Sequence, residues 1–311
     1  MAGAPTRTEY PIPAKWNLVI IACQLLGMFG IFYGAAFATM WWQLLLLATA
    51  FAIVGNSAYS VIHEAEHRML HPNARVNDFL GVVMALFFPA PYHLLRQGHL
   101  AHHRFNRSDK EVFDLYHAED RPVVKWLKLY GIITGIYWGM VVLANFIVLF
   151  FPFTIKRQYY EFDNHMADFV DALNPKYWGY IKLEAALAIG LHVLIVYGMN
   201  IPWLNYALVY FGFGFSWSAM QYVHHFGTKR HVLDGARNLW FWAPIDAIWL
   251  HHNWHLAHHQ HPTVPWIYLP NLGRKESPKR DWLPWHYLKM WKGPRYTEER
   301  VENAYTGRIS Q

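Results

Sequence analysis

The chain has 311 residues, of which 54% are hydrophobic, 18% aromatic and only 15% charged, with a net charge of +6. This balance excludes intrinsic disorder, which needs low hydrophobicity and high charge. The lone cysteine, Cys23, excludes a disulfide framework, a cysteine zinc finger and a cysteine-ligated iron–sulfur cluster built by this chain alone.

Mean hydropathy is only +0.05, so a few membrane spans must be joined to a sizeable water-facing part. The basic residues alternate with long uncharged stretches, a pattern of positive-inside loops rather than of nucleic-acid binding. No charged residue lies between Lys15 and His63. Residues 16–37 and 41–62 each exceed the roughly 20 residues a bilayer requires. Only Ala38, Thr39 and Met40 join them, which predicts a tight helical hairpin anchored at the interface by Trp16, Trp41 and Trp42. No cleaved signal peptide is expected, because no small-residue cleavage site leads into a soluble domain. Residues 79–90 are apolar but too short to cross, and are predicted to dip into the interface and return at Pro89 and Pro91. A polar stretch, 97–125, follows, then a third apolar segment, 129–153. Residues 183–199 and 203–220 form a second pair hinged at Pro202, with Glu184 the one charge between Lys182 and Lys229. The tail, 273–311, is charged and polar.

Histidine is the compositional outlier, with 20 copies. His63-Glu64-Ala65-Glu66-His67 ends the second apolar segment. Positions i and i+4 share a helix face, so both imidazoles can converge on a metal. His99-Leu100-Ala101-His102-His103 repeats the theme, and the same pentapeptide recurs 156 residues later as His255-Leu256-Ala257-His258-His259. His224 and His225 follow the last apolar segment, and His251, His252 and His261 flank the third group. Imidazole suits iron, zinc and copper. The three main groups supply eight histidines and His225 makes nine, too many for one ion and about right for two. Carboxylate-bridged di-iron bundles use two Glu-x-x-His pairs, and the sequence holds only one, Glu64–His67.

Parity constrains the topology. If the histidine groups serve one site, an even number of crossings separates His103 from His255. Three apolar segments intervene, so one of them is not a simple span. A crossing at 129–153 would strand Lys156, Arg157, Lys176 and Lys182 outside. That segment is therefore expected to be re-entrant, with Gly131, Gly135, Gly139 and Asn145 as break points. All 27 Lys and Arg then fall on the cytoplasmic side. The expected fold is a single all-α integral membrane domain over 1–311 with four transmembrane helices. Its parts are a first span pair at 16–62, the first two histidine motifs within 63–127, the re-entrant segment, a second span pair at 183–222, and a cytoplasmic helical cap at 223–311 carrying the third motif. Both termini are expected in the cytoplasm.

One rival motif needs weighing. His63–His67 also matches H-E-x-x-H, the zinc metalloprotease helix with Glu64 as base. A one-zinc hydrolase leaves six or more histidines without a role. A metal transporter would place histidines along the spans, where only His192 lies.

The order H-x3-H, H-x2-HH, H-x2-HH between paired spans resembles the membrane fatty acid desaturase and hydroxylase superfamily, over roughly residues 16–270. The run His255-Leu-Ala-His-His-Gln-His-Pro-Thr-Val-Pro265 looks like the last motif of bacterial desaturase-like members. Gln221-Tyr-Val-His-His-Phe-Gly227 is similar to the Asn-x-x-x-His-Tyr-Gly motif of alkane hydroxylases, with Gln in place of Asn. The resemblance implies a non-heme di-iron site held by His63, His67, His99, His102, His103, His225, His255, His258 and His259. Gln221, His224, Glu64, Glu66 and Asn253 are the further candidates, as ligands or as partners that orient the imidazoles.

It implies O2 as co-substrate and oxidation of an unactivated C–H bond in a lipid, foremost desaturation of a fatty acyl chain, with hydroxylation or ketolation as the alternative. No fused heme module is present, so electrons are expected from a separate ferredoxin, rubredoxin or cytochrome b5 with its reductase. The expected location is a bacterial inner membrane, or the endoplasmic reticulum in a eukaryote.

Overall fold

In a computed structural model, residues 9–302 and 304–311 are described. The chain is mostly helical. A first hairpin, α1 (Ala14–Phe37) and α2 (Trp41–Glu66), leads into α3 (Ala74–Phe87) and α4 (Tyr92–Phe105), and strand β1 (Leu115–Tyr116) follows. Then come α5 (Pro122–Ile133), α6 (Ile136–Phe150), α7 (Asn164–Ala172), α8 (Trp178–Gly198) and α9 (Trp203–Met220). The remainder holds β2 (Asn238–Trp240), α10 (Ala243–Ile248), α11 (His255–Gln260), α12 (Leu269–Glu276), β3 (Arg280–Trp282), α13 (Leu283–Met290) and β4 (Arg295–Tyr296). The strands form two parallel two-stranded pairs, β1 with β4 and β2 with β3, a minor addition to the expected all-α architecture.

Among the described residues, three helical segments are long and apolar enough to cross a bilayer: Ala14–Phe37, Trp41–Glu66 and Pro175–Gly198. The number rises to five if each of two bent pairs is one span. The bends are 102° between α3 and α4, and 96° between α5 and α6. Helix α9, expected as a span, is 18 residues long, about 27 Å at 1.5 Å per residue, and is not among these candidates. Segment 129–153 is broken at one of the four expected points. Gly135 adopts φ +90°, and a Cβ there would meet the Phe215 backbone at 3.0 Å, so glycine is required. The helical part begins earlier than expected, at Pro122, because Pro at N1 starts a helix readily. Likewise α8 starts at Trp178 rather than 183, preceded by a short 3-10 turn.

The core of the bundle is the contact of α2 with α9. Gly55 lets the Phe213 ring lie where its own Cβ would be, 2.5 Å away. Polar side chains within the bundle are spent between helices, as a lipid environment demands. Gln24 Nε2 donates to Ser57 Oγ (2.7 Å), and Asn56 Nδ2 to Ser216 Oγ (2.8 Å). Asn205 Nδ2 donates to the Ala35 and Ala38 carbonyls, both at 2.9 Å. His192 bonds Tyr206 Oη and the Leu86 carbonyl, a structural use of a histidine within a span. Large apolar side chains point outward along the same helices, among them Leu26, Leu45, Leu194 and Tyr197.

Helix α2 changes character along its length. Leu45 and Leu46 are exposed, whereas nearly every residue from Gly55 to Glu66 is buried. The cap encloses this end. Ser57 Oγ donates to the Ile248 carbonyl (2.5 Å), Ser60 Oγ to Trp249 (3.0 Å), and the Trp249 indole back to Ile53 (3.1 Å). Among the tryptophans before the third motif, Trp254 is buried under the Arg280 guanidinium, while Trp240 and Trp242 are exposed.

Candidate metal centre

Local structure delivers the histidines to one place. The C-terminal carbonyls of α2 would be orphaned by helix geometry. Asn77 Nδ2 and Tyr92 Oη both donate to the Ala65 carbonyl (2.9 and 2.8 Å), and Arg96 Nε donates to Glu66 (2.9 Å). This fixes the turn carrying His63 and His67 against α4, which carries His99, His102 and His103. Helix α11 is started by Asn238, whose Oδ1 accepts from the Leu256 and Ala257 amides (3.0 and 3.2 Å).

The nine histidines fall into two sets. His63, His67, His99, His103 and His258 each offer a ring nitrogen within 4.8 Å of the others. His102, His225, His255 and His259 form a second such set. Each pentapeptide is divided between the sets, because residues i+3 and i+4 sit about 100° apart around a helix. From α4 the i, i+4 pair joins the first set; from α11 it joins the second. The two repeats therefore contribute in opposite senses to a paired site.

The ring nitrogens face one another. Nε2–Nε2 separations are 2.7 Å for His67–His99 and 2.9 Å for His103–His258 in the first set. In the second they are 3.0 Å for His225–His255, 3.2 Å for His255–His259 and 3.3 Å for His102–His259. Adjacent ligand atoms at right angles about an ion, with bonds of about 2.1 Å, lie roughly 3 Å apart. His63 Nε2 is buried without a hydrogen-bond partner among the described residues. The donor set is entirely imidazole. These features fit two closely held transition-metal ions.

For three of the nine histidines the outer ring nitrogen accounts for the inward lone pair. His225 Nδ1 donates to the Gly235 carbonyl (2.8 Å), His102 Nδ1 to Glu111 Oε1 (2.8 Å), and His67 Nδ1 to the Ile309 carbonyl. A carbonyl can only accept, so the proton sits on Nδ1 and Nε2 keeps its lone pair. Burial pushes His225, His255, His258 and His259 well below the usual histidine range, and neighbouring imidazoles add to the effect. The neutral form is the one that ligates.

The remaining candidates lie around the two sets. Glu64 is buried behind the His63 ring, 3.9 Å from Nδ1, and its Oε2 accepts from the Trp266 amide (3.1 Å). Glu66 is buried 3.9 Å from His99 Nδ1. His224 joins neither set; its Nε2 meets Asn253 Oδ1 at 3.2 Å, and burial pushes it down to about 3. Asn253 in turn donates to Asp246 (2.5 Å), which pairs with Arg280. The Gln221 amide turns back onto its own helix, donating to the Trp217 carbonyl (3.0 Å).

Other residues gain a role from the geometry. His252, noted only as flanking, packs its ring 5.0 Å from His63 and 5.1 Å from His255. With Ser60, Glu64, Leu250 and Leu269 it walls a void of about 10 Å³, close to the space of one water. The turn bearing His225 is braced by a buried ion pair. Arg107 meets Asp114 and donates to Tyr222 Oη (2.6 Å) and the Thr228 carbonyl (3.0 Å), and Asp114 accepts from the Gly227 amide (2.7 Å). The carbonyls of Gly235 and Ile309 left no trace in the sequence, since every residue has one.

The fatty acid desaturase family model matches residues 39–293, a range that includes every histidine of both sets. Over 253 residues the chain is 24% identical to the sphingolipid delta(4)-desaturase DES1 of Drosophila melanogaster, covering 79% of this chain and 70% of that protein. A match across most of the chain, with both histidine sets inside it, places this protein in the fatty acid desaturase family, as an oxidoreductase of lipid metabolism.

Proposed function

We propose that the protein oxidises an unactivated C–H bond of a membrane lipid with O2, foremost by desaturating a fatty acyl chain, at a pair of irons held by the nine histidines. The observation that carries this is the division of those histidines into two all-imidazole sets of five and four with inward-facing Nε2 atoms. Family membership and the sphingolipid desaturase relative support a lipid substrate. Two irons would supply activation of O2 with two electrons from outside; a separate ferredoxin, rubredoxin or cytochrome b5 is the proposed donor, with its reductase.

The chain's own contribution is orientation and exclusion. Gly235, Glu111 and Ile309 hold the Nδ1 protons of His225, His102 and His67. Glu64 and Glu66 each bring an oxygen to 3.9 Å from an imidazole Nδ1, beyond direct hydrogen-bond reach. Leu250, Leu269 and His252 leave space for about one water beside the two sets. The two histidine sets count against a one-zinc hydrolase with Glu64 as base, since a single zinc would leave most of the nine imidazoles without a role.

The proposed topology has four spans, α1, α2, α8 and α9, with both bent pairs re-entrant and both termini cytoplasmic. The supporting arguments are the parity of the histidine groups and the confinement of Lys and Arg to one side. The membrane would be a bacterial inner membrane, or the endoplasmic reticulum in a eukaryote.

The test is iron and zinc per chain in protein from iron-supplemented cells, followed by lipid analysis of an expressing host. About two irons, as the two sets imply, with new unsaturated acyl chains, is the expected result. A hydroxylated product would move the reaction to the alternative outcome. A single zinc, with no iron after anaerobic ferrous reconstitution, would overturn the reading.

A further inference from the structure

The segment after β4 makes contacts that none of the histidine motifs announces. It first follows the loop beyond the second motif: the Asp109 amide donates to the Val301 carbonyl (2.8 Å) and the Tyr305 amide to Arg104 (2.9 Å), next to His103. It then reaches the end of α2, where the Gln311 amide donates to the His67 carbonyl (2.9 Å). Gln311 Nε2 donates to the Thr263 carbonyl (2.5 Å), four residues past His259. Arg96, already bonded to the Glu66 carbonyl, reaches Ser310 Oγ (3.4 Å). The segment thus touches the chain beside all three motifs. Between these anchors Ile309 is buried, and its carbonyl accepts from Nδ1 of His67, itself wholly enclosed.

Building on the two-metal reading, we infer that residues 309–311 are a positioning element of the metal centre, in which the Ile309 carbonyl selects the His67 tautomer that ligates. A neutral imidazole carries one proton on either nitrogen. An acceptor at Nδ1 biases the proton there and leaves Nε2 free. Without it, the buried ring is free to carry its proton on Nε2 and cannot bind until the proton moves. His67 belongs to the five-histidine set, so the effect falls on one of the two ions.

The experiment compares full-length protein, a deletion of residues 309–311, His67→Ala and the combination of both. Each is loaded anaerobically with ferrous iron and challenged with a ferrous chelator. Cobalt-loaded samples report ligand geometry through their visible spectra, and elution volume and helicity report folding. The expected result is loss of one ion about 10–100-fold more readily from the deletion, the range seen when a partner behind a ligand is removed. Its cobalt spectrum should change with it. The His67→Ala chain should show the same loss, with no further loss when the deletion is added. Ile309→Val, which keeps the carbonyl, should behave as full-length. Should the deletion not elute as a folded species, Gln311→Ala, which removes the Thr263 anchor, carries the comparison. A deletion whose chelator curve and spectrum match full-length protein, or whose loss adds to that of His67→Ala, would overturn the inference alone. Full-length protein that never holds a second ion would overturn the two-metal reading, and the inference with it.

Discussion

Three imidazoles of the centre are held at both ends, whereas Nδ1 of His255 and of His258 is buried without a hydrogen-bond partner among the described residues. One nitrogen is committed to a fixed acceptor in His67, His102 and His225; the other faces its neighbours. The adjacent pair His224 and His225 shows how sharp this control is. His225 enters the four-histidine set, whereas His224 meets Asn253. Replacing His225 with Ala should lower bound metal by about one ion per chain, since its set retains only three ligands. The His224→Ala protein should keep both ions. Metal analysis of the two proteins checks the assignment, and the opposite outcome would exchange their roles. The sequence narrowed this choice to two residues and stopped there, because a turn rather than a helix carries them, and turns have no period to read. The i, i+4 spacings of the other motifs were legible because helices do carry them. Their division into two sets was not, since that depends on how α4 and α11 are rotated against each other.

At the scale of elements, close approach decides the packing. Helices α2 and α9 meet at Gly55, with the Phe213 ring in the space of the missing Cβ. Gly55→Ala should therefore force the helices apart and destabilise the fold by about 1–3 kcal/mol, the usual cost of overpacking. The melting temperature in detergent should fall, and an unchanged or raised value would mean that the ring relaxes freely. The break in α5–α6 illustrates a different limit of sequence reading. Gly131, Gly135 and Gly139 were equal candidates by composition. Space lies open around Gly131 and Gly139, whereas Gly135 is pressed against the Phe215 backbone at positive φ. The tertiary neighbour made the choice, and no local pattern encodes it.

For the whole molecule, length and charge govern which way each segment faces. The apolar runs at 16–37 and 41–62 were legible as helices because a bilayer imposes a length that composition reveals. The bent pairs are ambiguous on the same ground, since each half is shorter than a span. The four-span proposal puts residue 311 in the cytoplasm. A reporter fused at Gln311 should give a cytoplasmic signal, and a periplasmic or luminal signal would break the parity argument. The position of 309–311 against the histidine motifs makes a linker advisable in that fusion.

The two histidine sets also join distant parts of the chain. His63 and His67 come from the first quarter of the sequence and His258 from the last, yet they share one set. On the proposed reading, an ion there closes a loop of nearly 200 residues, and its binding energy is partly folding energy. Each tenfold rise in free metal above the dissociation constant then adds about 1.4 kcal/mol per site to the native state. In a starved cell the same chain would sit closer to unfolding and nearer to the proteases that clear loosened membrane proteins. Nutrient supply would thereby set how many copies of the enzyme survive, as well as how many are active.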